Sequence, residues 1–235
     1  MIAREARLVV AAAAFLTRLP VPHARAEHCA RYFPLVGACI GAFGGLVTIA
    51  AARIVPLVVA VILGMIATAL LTGALHEDGL ADSADAFGGG ATREQVLTIM
   101  RDSRIGAFGA LGLILVLALK IASLSYLPLA ALPLGLVCAH AFSRALCVAP
   151  MAYGRYARSG HPAQRARPAD AAIALVLGAL PFFFLSLWPI VAMLAVAAVL
   201  YAYFHARIGG YTGDALGALQ QLTEVACYVA LLAVL

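Results

Sequence analysis

The sequence predicts an all-α, polytopic membrane protein with about seven transmembrane helices, preceded by an N-terminal amphipathic segment. Hydrophobic residues make up 64% of the chain and charged residues only 11%, far below the roughly 25% charged residues of a soluble domain. The mean hydropathy is +1.00. Apolar runs of about 20 residues, enough to cross a bilayer as a helix, recur along the chain. We therefore predict one integral membrane domain over residues 1–235.

The elements follow from these apolar runs. Residues 2–7 are charged and residues 8–16 are apolar. The apolar run is too short to span, so this segment predicts an amphipathic or half-inserted helix at the membrane surface rather than a signal peptide. Connections around Pro56, Pro128 and Pro189 are short turns, whereas the alternate connections are long and polar. The seven predicted spans are 33–53, 56–75, 107–127, 128–150, 169–188, 189–207 and 214–235.

Basic residues fall on one side of this arrangement. Fourteen of the sixteen lie before the first span, in the polar connections or at their edges, and only Arg53 and Lys120 approach the other side. The positive-inside rule then predicts a cytoplasmic N-terminus and an external C-terminus. This distribution explains the net charge of +5 without nucleic acid. We expect Lys120 to snorkel to the outer interface.

The segment HEDGLADSAD, residues 76–85, carries the most distinctive chemistry. Asp78, Asp82 and Asp85 are spaced i, i+4 and i+7, which places them on one face of a helix. Three such carboxylates repel one another, and a magnesium ion with its preference for oxygen ligands would remove the repulsion. Glu77 lies about 100° away from that face. The spacing predicts a metal site at the edge of the membrane.

Further polar residues collect on the same side. After a glycine run at 88–90 and a capping box at Thr92, Arg101 and Arg104 are placed to hold one anion, although a solvated or lipid-headgroup contact explains them equally. Arginine and tyrosine alternate in the stretch 153–158, which continues through His161 to residue 167. Such a basic, aromatic loop could bind phosphate, but a loop that is basic only because it faces the cytoplasm would look the same. Other candidates occur within spans: His140, Ser143, Arg144, Asp214, Gln220, Gln221 and Glu224.

With these pieces in place, the chain resembles the cobalamin synthases, the adenosylcobinamide-GDP ribazoletransferases of bacterial inner membranes. The matching motifs occur in the family's order over nearly the whole chain. Glu77 stands where members often have leucine, and Ala86-Phe87 replaces the common glycine after the last aspartate. The matching strings are FLTRLPVP (15–22), FPLVG (33–37), HEDGLADSAD (76–85), IMRDSRIGAFG (99–109), Ser143-Arg144, YGRYAR (153–158), and TGDALGA (212–218) with Gln220 and Glu224.

The resemblance implies that the ribose 3′-hydroxyl of α-ribazole, or of its 5′-phosphate, attacks the β-phosphoryl of adenosylcobinamide-GDP and releases GMP. Such a transfer uses Mg²⁺ and cationic side chains to neutralise developing charge. The implied metal ligands are Asp78, Asp82, Asp85 and Glu77. The implied catalytic residues are Asp82, Asp214 and Arg104. The implied substrate-binding residues are Arg101, Ser103, Arg104, Arg144, Arg155, Arg158, Gln221 and Glu224.

Two other classes of protein remain open from the sequence. A Mg²⁺-dependent prenyltransferase would also hold diphosphate on aspartates, but its NDxxD-type motif is missing. Phosphatidyltransferases share Asp-Gly but follow it with Ala-Arg, whereas here Ala81 is followed by Asp82. A transporter could use Asp214, Glu224, Lys120 and Arg144, although its ionisable residues would collect near the midplane rather than on one surface. The partners implied are the two small-molecule substrates and the lipid bilayer, and the sequence leaves a homo-oligomer open.

Overall fold

The computed structural model describes residues 2–21, 28–158 and 165–235, and it confirms the all-α prediction. Within these residues the single β pairing is an isolated bridge between Tyr156 and Tyr211. Short 3₁₀ helices cover Cys29–Tyr32 and Leu180–Phe184. The α-helices are α1 (Ile2–Leu16), α2 (Phe33–Ala51), α3 (Leu57–Thr72), α4 (Leu75–Gly89), α5 (Arg93–Ile99), α6 (Ala107–Tyr126), α7 (Leu132–Tyr153), α8 (Pro168–Ala179), α9 (Trp188–Ile208) and α10 (Gly213–Leu232).

The described helices make the chain a multi-pass membrane protein. Five of them are long and apolar enough to cross a bilayer: α2 with its preceding 3₁₀ turn, α6, α7, α9 and α10. Helices α3 and α4 pass the same test only as a pair bent by 90°, which would make six crossings. The apolar segment Pro168–Phe184 is shorter. All seven predicted spans are helical, so the predicted number is close, but two of them are shorter than a straight span.

The bend between α3 and α4 has a local backbone cause. Gly73 and Ala74 both adopt left-handed conformations, with φ of 68° and 55°. Gly73 tolerates this conformation as a helix C-cap, whereas Ala74 lacks glycine's freedom. The predicted span 56–75 therefore ends as a helix at Thr72, and α4 leaves in a new direction. In the predicted span 169–188, Pro181 lacks a backbone N–H and α8 gives way to a 3₁₀ turn.

Small residues allow two spans to pack closely. A Cβ atom on Gly41 would lie 2.5 Å from the carbonyl oxygen of Leu136, and one on Gly45 would lie 3.0 Å from the Cα of Pro133. Gly37, four residues earlier, similarly faces His140. From one contact to the next, residue numbers increase in α2 and decrease in α7, so these helices are antiparallel. Small residues at such spacing let membrane helices approach, and they gain packing that lipid cannot supply.

The arginine-rich connections meet at one end of the bundle. Arg93 donates to the carbonyl oxygens of Ile208 (2.9 Å) and Ala157 (2.9 Å). Arg207 donates to the carbonyl oxygen of Gly90 (2.6 Å). These contacts join the connections that follow α4, α7 and α9. The prediction that the long connections share one face agrees with this geometry.

The N-terminal segment is an amphipathic helix, as predicted. On α1, Leu8 and Leu16 are buried while Arg4 and Arg7 are exposed. The segment that follows is held to α8 by Asp170, a fully buried carboxylate. Asp170 accepts hydrogen bonds from Arg31 Nε (2.7 Å) and from the Arg167 backbone N–H (2.9 Å), and it contacts His28 Nδ1 at 2.9 Å. Part of the FLTRLPVP motif, at Pro22, lies outside the described residues.

Candidate active site

The predicted acidic face exists as a helical face on α4. Asp78 is exposed, and Asp82 and Asp85 are partly buried. The negative charges of Asp78, Asp214 and Asp85 all act on Asp82. Among the described residues, the carboxylates of Asp78 and Asp82 have no hydrogen-bond or ion-pair partner. Such a crowd of like charges is unfavourable unless a cation joins it.

Helix α10 supplies a fourth carboxylate because two glycines let it touch α4. A Cβ atom on Gly79 would lie 3.2 Å from the Cα of Gly217, and one on Gly217 would lie 3.1 Å from the Cα of Gly79. Asp214, in the first turn of α10, is thereby brought to the acidic face. Its side chain pairs with Arg158, which also donates to the carbonyl oxygen of Met100 (3.0 Å). Four carboxylates and one guanidinium thus share this site.

Asp85 also caps helix α6, a role that the sequence did not predict. Its two carboxylate oxygens accept the backbone N–H groups of Gly106 (2.7 Å) and Gly109 (2.8 Å). These donors belong to the first turn of α6, so Asp85 caps that helix and complements its positive end. Metal binding by Asp85 stays a prediction. A metal ion at Asp85 would have to bind carboxylate oxygens that already accept hydrogen bonds from the start of α6.

Glu77 points away from the acidic face, as its helical offset predicts. Its Oε1 accepts a hydrogen bond from Gln221 Nε2 (3.0 Å), and Oε2 is buried without a hydrogen-bond partner in the described part of the chain. Glu77 therefore faces the interior of the bundle, next to α10. Its predicted metal contact is untested, but this orientation separates it from Asp82.

The predicted phosphate-binding arginines lie in the exposed turn between α5 and α6. Arg104 forms a bidentate contact with Asp102, with Nη2 to Oδ2 at 2.6 Å, and both atoms face solvent. This contact lowers the pKa of Asp102 to about 2. Arg101 and Ser103 are exposed. The planar guanidinium group of Arg104 thus already binds an oxyanion, the carboxylate of Asp102. It does not contact Asp82.

The basic stretch after α7 reaches the same end of the bundle. The Arg155 backbone pairs with Tyr211, and its side chain is exposed, whereas Arg158 is committed to Asp214. The remainder of the predicted loop, including His161, lies outside the described residues. The sequence thus anticipated which arginines gather here but not that one of them would pair with Asp214.

A buried ionic cluster lies deeper between α6, α7 and α10. Lys120 Nζ contacts Glu224 Oε1 at 2.6 Å and donates to Gln221 Oε1 at 2.8 Å. The predicted snorkelling of Lys120 to the outer interface is wrong: its side chain is buried, because Glu224 supplies an opposite charge inside the bundle. Arg144 joins the cluster, with Nη1 at 3.6 Å from Glu224 Oε2 and 3.1 Å from His140 Nδ1.

The cluster is completed by side chains of α7 and α10. Gln220 Nε2 donates to Ser143 Oγ (3.1 Å) and to Glu224. Tyr228 donates its hydroxyl to Glu224 Oε1 (3.1 Å). The predicted substrate residues therefore divide into three groups. Arg158 lies at the acidic face, and Arg144, Gln221 and Glu224 lie in the bundle interior. The exposed ones are Arg101, Ser103, Arg104 and Arg155. Lys120 was missed as a member, and its pairing with Glu224 could be found only from the helix packing.

Two carboxylates of the acidic face fit the way in which proteins bind magnesium. No three His, Cys, Asp or Glu side chains in the described ranges stand close enough together to hold a metal ion by themselves. Magnesium, however, is usually bound by one or two carboxylates plus waters and substrate phosphates rather than by an all-protein cage. Asp78 and Asp82, the two carboxylates without protein partners, fit that mode of binding.

The fold and the site define a polytopic membrane protein whose acidic and basic side chains gather at one end of its helical bundle. The Cobalamin-5-phosphate synthase family model matches residues 8–232. This chain belongs to that family, whose members are transferases of cobalamin biosynthesis, as the motif resemblance indicated. No solved structure matches the chain.

Curated relatives agree with the family over nearly their full length. A protein of Leptothrix cholodnii named adenosylcobinamide-GDP ribazoletransferase is 44% identical, with 97% of this chain and 96% of the relative covered. Proteins of the same name from Ralstonia nicotianae and Shewanella frigidimarina are 45% and 40% identical, each covering 98% of this chain and 96% of the relative.

Proposed function

We propose that this chain transfers the adenosylcobinamide-phosphate moiety from adenosylcobinamide-GDP to α-ribazole or α-ribazole 5′-phosphate. The observation that carries the proposal is the convergence of Asp78, Asp82 and Asp214 with Arg158 between α4 and α10. The names of the relatives supply the substrates. The ribose 3′-oxygen forms a new bond to the phosphorus next to the cobinamide, the phosphoanhydride bond breaks, and GMP leaves with its electron pair.

Magnesium is the proposed cofactor. When bound, it would neutralise the negative charge that develops on the phosphate oxygens. Asp78 and Asp82 would hold it together with the diphosphate. Asp85 keeps the first turn of α6 in place beside them. The protein's part is to fix these carboxylates before the substrate arrives, so that little reorganisation is needed during the reaction.

Asp214 is the proposed partner of the attacking hydroxyl. It lies in the first turn of α10, where it can orient the 3′-hydroxyl or accept its proton. Arg158, paired with Asp214, holds that carboxylate in position and lends positive charge to the phosphoryl group. Arg101 and Arg104, on the turn before α6, would bind the outer phosphate oxygens through their planar guanidinium groups.

The reaction is proposed to occur on the cytoplasmic side of a bacterial inner membrane. The basic connections gather at the end of the bundle that holds the acidic face, and basic connections face the cytoplasm by the positive-inside rule. We expect a reporter tag after Arg158 to signal cytoplasm and a tag after Leu235 to signal periplasm. Tags that report the same compartment would contradict the proposed orientation.

Lysine substitution separates phosphate binding from lipid contact at the exposed turn. We expect the Arg101→Lys, Arg104→Lys double variant to insert normally and to lose about 1.5–3 kcal/mol of transition-state stabilisation, the scale of hydrogen bonds to charged groups. The loss should appear in kcat/KM for adenosylcobinamide-GDP, because lysine keeps the charge but lacks the planar fork.

The matched control is Arg53→Lys, at the opposite end of the bundle, which should leave both substrates unaffected. A headgroup contact needs only positive charge. Unchanged kinetics in the double variant would therefore assign Arg101 and Arg104 to the membrane surface.

The proposed activity is tested by release of GMP from the purified protein in liposomes. Adenosylcobinamide-GDP, α-ribazole and Mg²⁺ should together yield GMP and a corrinoid of higher mass, and omission of any one of them should stop the reaction. A prenyl- or phosphatidyltransferase would release no GMP. Vectorial uptake of a corrinoid without GMP release would instead indicate a transporter.

A further inference from the structure

A cavity of ≈ 240 Å³ lies inside the bundle, beside the acidic face but distinct from it. Its walls are mostly apolar side chains from α3 and α6, such as Val61, Met65 and Ile121. Helices α2, α7 and α10 close the remaining sides. One end of this cavity is polar, and the residues there are Glu77, Lys120, His140, Arg144, Gln221 and Glu224.

The polar end retains hydrogen-bonding capacity that the protein does not use. Glu77 Oε2 and Arg144 Nε are buried, and neither has a hydrogen-bond partner among the described residues. Leaving a buried polar atom unsatisfied is unfavourable, and more so for a charged group. Glu77 and Arg144 both line the cavity, so an acceptor and a donor without protein partners belong to residues of its polar end, as expected of a site that binds a polar group.

The size of the cavity restricts what can enter it. Pockets for drug-sized ligands have volumes of about 300–1,000 Å³, so this one suits a smaller group. A corrin macrocycle or a whole guanosine diphosphate moiety is too large. The apolar walls favour a weakly polar group, and the polar end favours a ligand with one hydrogen-bond acceptor and one hydrogen-bond donor.

The position of the cavity relates it to the acidic face. Glu77 in the cavity is adjacent in α4 to Asp78 on the acidic face. Gln221 is seven residues beyond Asp214 in α10, a rise of about 10 Å along a helix. A ligand whose ring fills the cavity could therefore extend a sugar toward Asp82 and Asp214.

We infer that this cavity binds the heteroaromatic base of the acceptor nucleoside, an inference that rests on the proposed function. Arg144 Nε donates to the ring nitrogen that is not bonded to the sugar. Glu77 Oε2 accepts a hydrogen bond from a sugar hydroxyl. The apolar walls contact the ring faces and edges. The cavity thereby selects which base is built into the product and directs the 3′-hydroxyl toward the phosphoryl group.

Filling the cavity tests the inference without breaking the ionic cluster. Ile121→Phe on α6 and, independently, Ala69→Leu on α3 place extra atoms in the cavity. Leu119→Phe adds the same ring on the exposed face of α6 and is the matched control. We expect KM for α-ribazole to rise about tenfold or more in both filled variants, the scale of steric discrimination in a pocket. KM for adenosylcobinamide-GDP should not change.

Base preference gives a readout that general damage would not produce. Unsubstituted benzimidazole is smaller than the base of α-ribazole. With the riboside of this smaller base as acceptor, the Ile121→Phe variant should therefore lose less kcat/KM, relative to wild type, than it loses with α-ribazole. Binding of radiolabelled α-ribazole to protein in liposomes, without Mg²⁺ or corrinoid, should be strong in the wild type and in Leu119→Phe and weak in both filled variants.

The outcomes separate the two proposals. Wild-type protein that binds α-ribazole but releases no GMP would overturn the proposed function and leave the cavity assignment standing. Normal GMP release together with unchanged α-ribazole binding and KM in both filled variants would overturn the cavity assignment alone. A wild type that neither binds α-ribazole nor releases GMP would overturn both.

Discussion

Asp82→Asn is expected to abolish nearly all turnover while leaving the helical bundle intact. Asp82 is the carboxylate on which three other aspartates act, and it has no protein partner within the described ranges. Asparagine keeps the size of the side chain but removes the negative charge. We expect kcat to fall by a factor on the order of 10²–10³, the effect of removing one preorganised electrostatic contact.

Folding should not suffer, because the substitution relieves repulsion among the aspartates of α4 and α10. Thermal unfolding in detergent should show an unchanged or slightly higher Tm. The matched control is Glu94→Gln, the same acid-to-amide change on the exposed surface of α5, which should retain full activity. Near-normal turnover of Asp82→Asn at saturating Mg²⁺ would rule out direct metal binding by this residue.

Glu224→Gln is expected to produce the largest loss of stability. Glu224 is the counter-charge of both Lys120 and Arg144 inside the bundle. Removing one partner of a buried ion pair leaves an uncompensated charge and costs about 3–5 kcal/mol. The measurement is equilibrium unfolding of the detergent-solubilised protein, with wild type and variant compared in the same detergent.

The double variant Lys120→Met, Glu224→Gln distinguishes a true pair from two independent packing defects. Because both charges are gone, its loss should be clearly smaller than the sum of the two single losses, as expected for coupled neighbours. Additive losses would show that Lys120 and Glu224 do not stabilise each other.

The acidic face could be predicted from the sequence because its geometry is local. The spacing of Asp78, Asp82 and Asp85 determines a shared face once the segment is helical. The same helical geometry directs Glu77 elsewhere. The glycine run that ends α4 and the capping box at the start of α5 were also found where predicted, because each depends on a few neighbouring residues.

Features that depend on contacts between helices could not be predicted in this way. Lys120 looked like an interfacial residue because its partner Glu224 is 104 positions away, and nothing in the sequence placed α6 against α10. The capping of α6 by Asp85 likewise requires the fold. The bend at Ala74 was missed because alanine seldom adopts a positive φ.

Paramagnetic Mn²⁺ substituted for Mg²⁺ gives the most direct test of the phosphoryl-transfer site on α4. The measurement is broadening of the ³¹P signals of adenosylcobinamide-GDP bound to the protein in detergent, without α-ribazole so that no turnover occurs. We expect strong broadening of both diphosphate signals in the wild type and in Glu94→Gln, and its loss in the Asp78→Asn, Asp82→Asn double variant. Undiminished broadening in that double variant, with the same affinity for Mn²⁺, would contradict metal binding by Asp78 and Asp82.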